Sequence, residues 1–218
     1  MKSIILIAPP AGGKGTQSDL ICSKYNIPHI STGDLLRDEA SKNTKEGNEL
    51  KEQMRKGVLI KDEIIYDLIK KRLSLSDCDN GYVLDGFPRN LEQAYEYDKI
   101  LSSINKELGY VILLDIPSDI ASRRISGRIS CPKCGRVYNS YFDEMKPKEE
   151  NMCDICHIPL IKREDDNAST YEVRYKTYIE KTQPLIDYYT EKKVLYKVDT
   201  TVGVAKTFEK IEEIIRGV

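Results

Sequence analysis

Apolar residues along this chain come in short unbroken runs, separated by longer stretches in which apolar positions recur every three or four residues. The opening run Ile4-Ile5-Leu6-Ile7 is stopped by Pro9-Pro10 and a glycine-rich turn, and Gly15 to Tyr25 then has helical character, so the pattern predicts strand, loop, helix. Two further runs, Tyr82-Val83-Leu84 and Tyr110 to Ile116, are each followed by helix-like segments. Val194 to Val198 leads into a last helix with Val204, Phe208, Ile211 and Ile215 on one face. Strands buried on both faces and alternating with helices predict an α/β fold, in three layers, with a parallel sheet covered by helices on both sides. Ligands then gather at the carboxyl ends of the strands.

Two stretches interrupt the alternation. Residues 31–60 are rich in Ser, Thr, Lys and Glu, with helix-like pieces at Leu35 to Ala40 and Glu49 to Lys56, and read as a small helical flap. Residues 128–164 hold two cysteine pairs, scattered prolines and little helical periodicity, which suits a small β-rich module organised by a metal. The remainder, 1–30, 61–127 and 165–218, is the expected core.

Charge excludes some partners. With 34 Lys plus Arg against 35 Asp plus Glu among 218 residues the formal charge is −1, so phosphate binding has to be local. Residues 128–164 carry seven basic and six acidic side chains, a poor footprint for nucleic acid, which argues against a zinc-ribbon nucleic-acid module on an inactive core. The early apolar stretch Ile4 to Ala8 is far shorter than the roughly 20 residues of a membrane span, and no export pattern follows it; the expectation is a cytoplasmic protein without a membrane partner. In that setting four cysteines in two C-x-x-C pairs favour metal over disulfides, while Cys22 and Cys78 read as ordinary buried thiols.

The chemistry concentrates in a few segments. Ala8-Pro9-Pro10-Ala11-Gly12-Gly13-Lys14-Gly15-Thr16 lies between a predicted strand and a predicted helix, the context of a phosphate loop. Its backbone amides, the helix dipole and the Lys14 ammonium face one anion, and the Thr16 hydroxyl suits Mg²⁺. The strict G-x-x-x-x-G-K-[ST] pattern fails at its first glycine, which is Ala8, and Gly15 precedes the threonine. Tyr82-Val83-Leu84-Asp85-Gly86-Phe87-Pro88-Arg89 is an apolar strand ending in an acid placed to orient Mg²⁺ through water.

Gly13-Lys14-Gly15-Thr16-Gln17 resembles the G-K-G-T-Q of adenylate kinases, and the resemblance runs from Ile4 to about Val198. That family usually has glycine where this chain has Ala8 and Ala11, and a bulkier residue at Gly12. If position 11 takes a positive φ, its alanine costs roughly 1 kcal/mol. The resemblance implies Mg-dependent, in-line, reversible transfer of the ATP γ-phosphoryl group to AMP, giving two ADP, by a monomer of P-loop fold with a nucleoside-monophosphate-binding flap and a zinc-stabilised lid. Gly12, Gly13, Lys14, Gly15 and Thr16 then cradle ATP, with Arg128 and the lid stretch Val137-Tyr138 over it. Ser31-Thr32-Gly33-Asp34-Leu35-Leu36-Arg37 resembles the monophosphate site, with Thr32 and Arg37 on the acceptor phosphate and Asp34 on a Mg²⁺-bound water. Gly57-Val58-Leu59-Ile60 resembles the stretch flanking the acceptor base, with Ile60 in place of the usual valine. Gly86 and Arg89 belong to the acceptor side, and Gln93 offers a carbonyl and an amide to N6 and N1 of adenine. Lys14, Asp85, Arg89, Arg124, Arg163 and Arg174 form the catalytic group, with Arg163 and Arg174 also on the acceptor. A kinase for CMP, UMP or GMP is the alternative; Gln93 and the long lid favour AMP.

Arg123, Arg124 and Arg128 fall on a predicted helix running into the cysteine module, with Arg124 and Arg128 sharing a face. Cys131-x-x-Cys134 and Cys153-x-x-Cys156, 18 residues apart, have the spacing of a closed four-thiolate zinc site of structural role, with His157 as bystander. The interval is about two residues longer than the resemblance leads one to expect. After Asp165-Asp166-Asn167 the family's two acids are replaced by Ala168 and Ser169.

Overall fold

The apolar runs around Ile4, Val83 and Tyr110 fold as strands shielded on both faces, as a parallel sheet requires, whereas the stretch to Val198 folds as a strand with Tyr196 and Lys197 exposed. The computed structural model describes residues 2–55, 60–162 and 166–217. In chain order its elements are β1 (Ile4–Ile7), α1 (Lys14–Tyr25), β2 (His29–Ser31), α2 (Thr32–Ser41), α3 (Lys45–Arg55), α4 (Asp62–Leu73), β3 (Val83–Asp85), α5 (Leu91–Ser103), β4 (Tyr110–Asp115), α6 (Ser118–Ser126), β5 (Arg128–Ser130), β6 (Val137–Asn139), α7 (Ala168–Glu191), β7 (Leu195–Asp199) and α8 (Val204–Arg216), with 3₁₀ turns at Ser76–Cys78 and Asp143–Met145. The main sheet has the order β2-β3-β1-β4-β7, and β5 and β6 form a separate antiparallel pair. Among the described residues no helix is long and apolar enough to cross a membrane.

The chain divides into two compact units. The first comprises Met1–Ile7, Ser18–Ile112 and Lys181–Tyr196. In it β3 pairs in parallel with β1 and β2, and the register sets Leu6 and Ser31 level with Asp85. Consequently the residues that follow the strand ends, Thr32 and Gly86, emerge together. The core beneath them contains Ile4, Ile5, Ile30, Leu84, Phe87 and Tyr97, all almost fully buried. Phe87 meets Tyr66 and Tyr97 edge to face, and the buried hydroxyls of Tyr82 and Tyr97 share a 2.7 Å hydrogen bond. The strand β2 was not evident in the sequence: it is three residues long and only Ile30 among them is apolar and buried.

The second unit comprises Ala8–Gln17, Leu113–Glu180 and Lys197–Val218. One apolar cluster joins Ile116, Ala121, Ile125 and Tyr171, with Ala11 packed against it. Another, Cys131, Tyr138, Cys153 and Leu160, is the centre of the cysteine module. The expectation that Arg124 and Arg128 share a helix face is corrected here. Helix α6 stops at Ser126, Gly127 caps it with its N–H on the Arg123 and Ile125 carbonyls, and Arg128 opens β5 opposite Asn139. A Cβ at Gly127 would lie 2.5 Å from Asn139 Oδ1 and 2.6 Å from the Tyr141 ring, so only glycine lets the helix turn this closely into the hairpin.

Candidate functional site

In the first unit the turn after β3 is tied into one knot. The Gly86 carbonyl accepts the Thr32 hydroxyl at 3.2 Å and Arg89 Nε at 2.7 Å. Gly86 has φ 81, and a Cβ there would lie 2.9 Å from Thr32 Oγ1 and 3.1 Å from Arg89 Nη2, so the position demands glycine on both counts. The Phe87-Pro88 peptide is cis. Asn90 caps α5 by accepting the Gln93 backbone N–H at 2.8 Å, which fixes where Gln93 begins. The Gln93 side chain, 6% exposed, is then held at both ends: Oε1 accepts the Arg89 backbone N–H at 2.8 Å and Nε2 donates to Asp62 Oδ1 at 2.9 Å. On α2 the exposed Arg37 guanidinium pairs with Asp34 and lies beside Gly33. Thr32, Gly86, Arg89 and Gln93 thus come together, whereas Val58 and Leu59 lie outside the described residues; Ile60 is half-buried just ahead of α4.

Asp85, at the end of β3, is 3.5 Å from His29 Nε2. The hydrogen bond to Asp85 raises the His29 pKa against the opposing effect of burial, with the charges of Asp85, Asp19 and Asp34 adding to the rise.

The second unit carries the glycine-rich loop. Ala11 takes φ 61 and Gly13 φ 91, Gly12 N–H bonds the Pro9 carbonyl at 3.0 Å, and α1 opens at Lys14 with no acid in its first turn. A helix end with no acid of its own in the first turn favours an anion. Gly15 and Thr16 stand in that first turn. Gln17 is buried, and its Nε2 anchors the loop's far side on the Val204 carbonyl at 3.1 Å.

The arginines differ in how they are held. Arg124, 9% exposed, donates Nη2 to the Thr200 carbonyl at 2.7 Å and Nη1 to its hydroxyl at 3.3 Å, with the Phe142 ring against the guanidinium. Burial lowers its pKa, and Glu144 and Asp199 oppose that. Arg128 forks onto the buried carboxylate of Asp166, Nε to Oδ2 at 2.7 Å with a second bond from Nη2. Arg174 is half-buried on α7, and Arg163 lies outside the described residues.

The sulfurs of Cys131, Cys134, Cys153 and Cys156 all lie within 4.8 Å of one another, and those of Cys134 and Cys153 are 3.7 Å apart. Thiolates about 2.3 Å from one tetrahedral zinc stand about 3.8 Å apart, so the set fits that ion with no position left open. His157 is exposed and outside the cluster, as expected of a bystander. Burial opposes the Cys153 thiolate, but backbone N–H groups of Cys156 and Ile155 and the Tyr138 hydroxyl outweigh it and lower its pKa; burial and the neighbouring sulfurs raise that of Cys156. Tyr138 therefore belongs to this cluster: its hydroxyl donates to Cys153 Sγ at 3.6 Å and accepts the Asp154 N–H at 2.9 Å. Val137 precedes it, half-buried, on β6.

Three participants escaped the sequence reading. Asp62 looks like an ordinary first-turn acid of α4, and His29 lies on β2, the strand that the sequence did not reveal. Glu144 lies in the longer interval between the cysteine pairs, and its Oε2 accepts the Val204 N–H at 3.1 Å, capping α8 where Gly203 has no side chain to do so.

A family model described as adenylate kinase matches residues 6–194. An adenylate kinase of Thermotoga neapolitana is 44% identical over 216 residues, covering 99% of this chain and 97% of that protein. One from Clostridium novyi is 44% identical over 214 residues, covering 98% of each, and one from Archaeoglobus fulgidus is 43% identical over 213 residues, covering 98% and 97%.

Proposed function

The chain belongs to the adenylate kinase family and transfers a phosphoryl group reversibly between ATP and AMP, and we propose that Thr32, Arg37, Gly86, Arg89 and Gln93 hold the acceptor. In the same reading Gly12, Gly13, Lys14, Gly15, Thr16, Arg128, Val137 and Tyr138 serve the donor, Tyr138 through its backbone because its side chain is buried against Cys153. Lys14, Arg89, Arg124, Arg163 and Arg174 spread positive charge over the transferring group, and Asp85 orients water around the metal. The observation that carries the acceptor assignment is the double tether of Gln93, which presents a carbonyl and an amide in fixed order beside an arginine and a threonine that share one carbonyl.

The reaction needs little covalent help from protein. An AMP phosphate oxygen is already an anionic nucleophile, so no general base is required, and the burden falls on positioning and on charge. Mg²⁺ bound with ATP would supply positive charge to the phosphates, with the Thr16 hydroxyl and water oriented by Asp85 placed to hold it. The loop amides and Lys14 hold the donor phosphates; Arg89 and Thr32 hold the acceptor in line. Residues 31–60 act as flap and 128–164 as lid, and their closure keeps water from competing with AMP. Zinc on the four cysteines is structural, because four thiolates close its coordination shell and the module is too small to build a sufficient core of its own. The enzyme works as a cytoplasmic monomer.

Arg89→Ala tests the acceptor assignment. A charge-assisted contact to the acceptor is worth about tenfold or more in KM for AMP, with KM for ATP within about twofold. Equal rises in both constants would overturn the division into donor and acceptor residues.

A further inference from the structure

We infer that Asp62 determines which purine the acceptor site reads, by locking the orientation of the Gln93 amide. The inference rests on Gln93 being the residue that meets the base.

A primary amide is nearly symmetric in shape, and turned end for end it reads the opposite pattern. With its carbonyl and NH₂ in the order found here, Gln93 complements the N6 amine, a donor, and N1, an acceptor, of adenine. Hypoxanthine presents O6, an acceptor, and N1–H, a donor, and needs the amide reversed. Nothing in glutamine itself prefers one order, so the neighbours choose. Arg89 contributes a backbone N–H, always a donor, at 2.8 Å from Oε1; Asp62 contributes a carboxylate, acceptor-only when ionised, at 2.9 Å from Nε2.

Reversal sets NH₂ against the Arg89 N–H and sets Oε1 against the Asp62 carboxylate, with no proton on either oxygen. Both existing bonds are lost, and at a side chain 6% exposed water has little room to replace them. Each native bond also uses only part of the amide's capacity. Nε2 keeps its second hydrogen for N1, and Oε1 keeps its second lone pair for N6. Asp62 is 31 residues from Gln93 in sequence and stands at the first position of α4, so this helix start supplies specificity as well as a favourable charge on the helix dipole.

Asp62→Asn separates these roles, since asparagine turns its own NH₂ toward a reversed Gln93 and, among the described residues, the Arg89 N–H remains as discriminator. AMP and IMP share the same ribose phosphate, so phosphate contacts cancel in the ratio of their kcat/KM values. The expected result is a fall in the AMP-to-IMP ratio of about tenfold or more in Asp62→Asn, the effect of losing one charge-assisted hydrogen bond from the discrimination. Asp62→Ala, which removes the carboxylate without offering a donor, falls between this variant and the parent. A purely structural Asp62 would lower both substrates together and leave the ratio alone. Gln93→Leu is measured alongside, with melting temperatures for all variants. If Gln93→Leu abolishes AMP preference while both Asp62 variants keep the parent ratio within about twofold, the base reading by Gln93 stands and the role of Asp62 is overturned. If Gln93→Leu keeps the AMP preference, the reading on which the inference rests falls, and the inference with it.

Discussion

Replacing Gly12 by alanine puts a methyl group where Ala8 already has one. A Cβ at position 12 would lie 2.8 Å from Ala8 Cβ, 3.0 Å from the Pro9 carbonyl oxygen and 3.2 Å from Pro9 Cδ. Comfortable carbon contacts begin at about 3.5 Å, so all three neighbours are overlapped, and two of them belong to a proline that cannot swing aside. Gly12 is buried and its N–H is bonded to the Pro9 carbonyl, so the new methyl has no outward escape. Overpacking of this kind costs about 1–3 kcal/mol. In a chain of this length each kcal/mol moves the melting temperature by about 2–4 °C, so calorimetry on Gly12→Ala is expected to show a drop of about 2–12 °C, with KM for ATP raised because the loop itself shifts. Ala8→Gly removes the shortest of the overlaps, and the double variant Ala8→Gly/Gly12→Ala is expected to regain at least half of the loss. Alanine at 8 with glycine at 12 is thus one matched exchange of small residues relative to the pattern usual in the family. A Gly12→Ala protein as stable as the parent, or a double variant no better than the single one, would refute this. Ala11 is a separate matter: its left-handed φ of 61 costs about 1 kcal/mol, and its methyl packs against the Ile116, Ala121, Ile125 and Tyr171 cluster, which offsets that strain.

His29 is expected to titrate above its ordinary 6.5 by nuclear magnetic resonance, and Asp85→Asn to bring it down. Because the folded value is the raised one, the stability from this pair is complete below about 6.5 and is lost as pH rises through the folded pKa; a His29 titrating at or below 6.5 would contradict the pairing. Metal analysis of reduced protein should find about one zinc per chain, and chelation should lower the melting temperature; less than about half an equivalent would count against the four-thiolate site.

The sequence disclosed those parts of the site whose signal is local. The run from Ile4 through the glycine loop into α1, the Asp85-Gly86-Phe87-Pro88-Arg89 turn and the paired cysteines each announce themselves within about ten residues, because strand, turn and metal chemistry all act over that range. What stayed hidden depends on register or on distant partners. That Thr32 and Arg89 would share the Gly86 carbonyl follows from β2 lying beside β3, and β2 was too short and too polar to see. The hold of Thr200 on Arg124 spans 76 residues, and that of Asp166 on Arg128 spans 38. Periodicity carried the predicted helix through Arg128, but the contact of Gly127 with Asn139 and Tyr141 ends it, and no local pattern reports a neighbour that returns from the next hairpin strand.

The most direct test is phosphoryl transfer from Mg-ATP to AMP, CMP, UMP and GMP measured in parallel as diphosphate formation by the purified zinc-loaded protein. The account predicts strong preference for AMP, with two ADP converted back to ATP and AMP by the same preparation. Preference for another monophosphate would contradict the acceptor reading built on Gln93, and absence of transfer to all four would contradict the account at its centre.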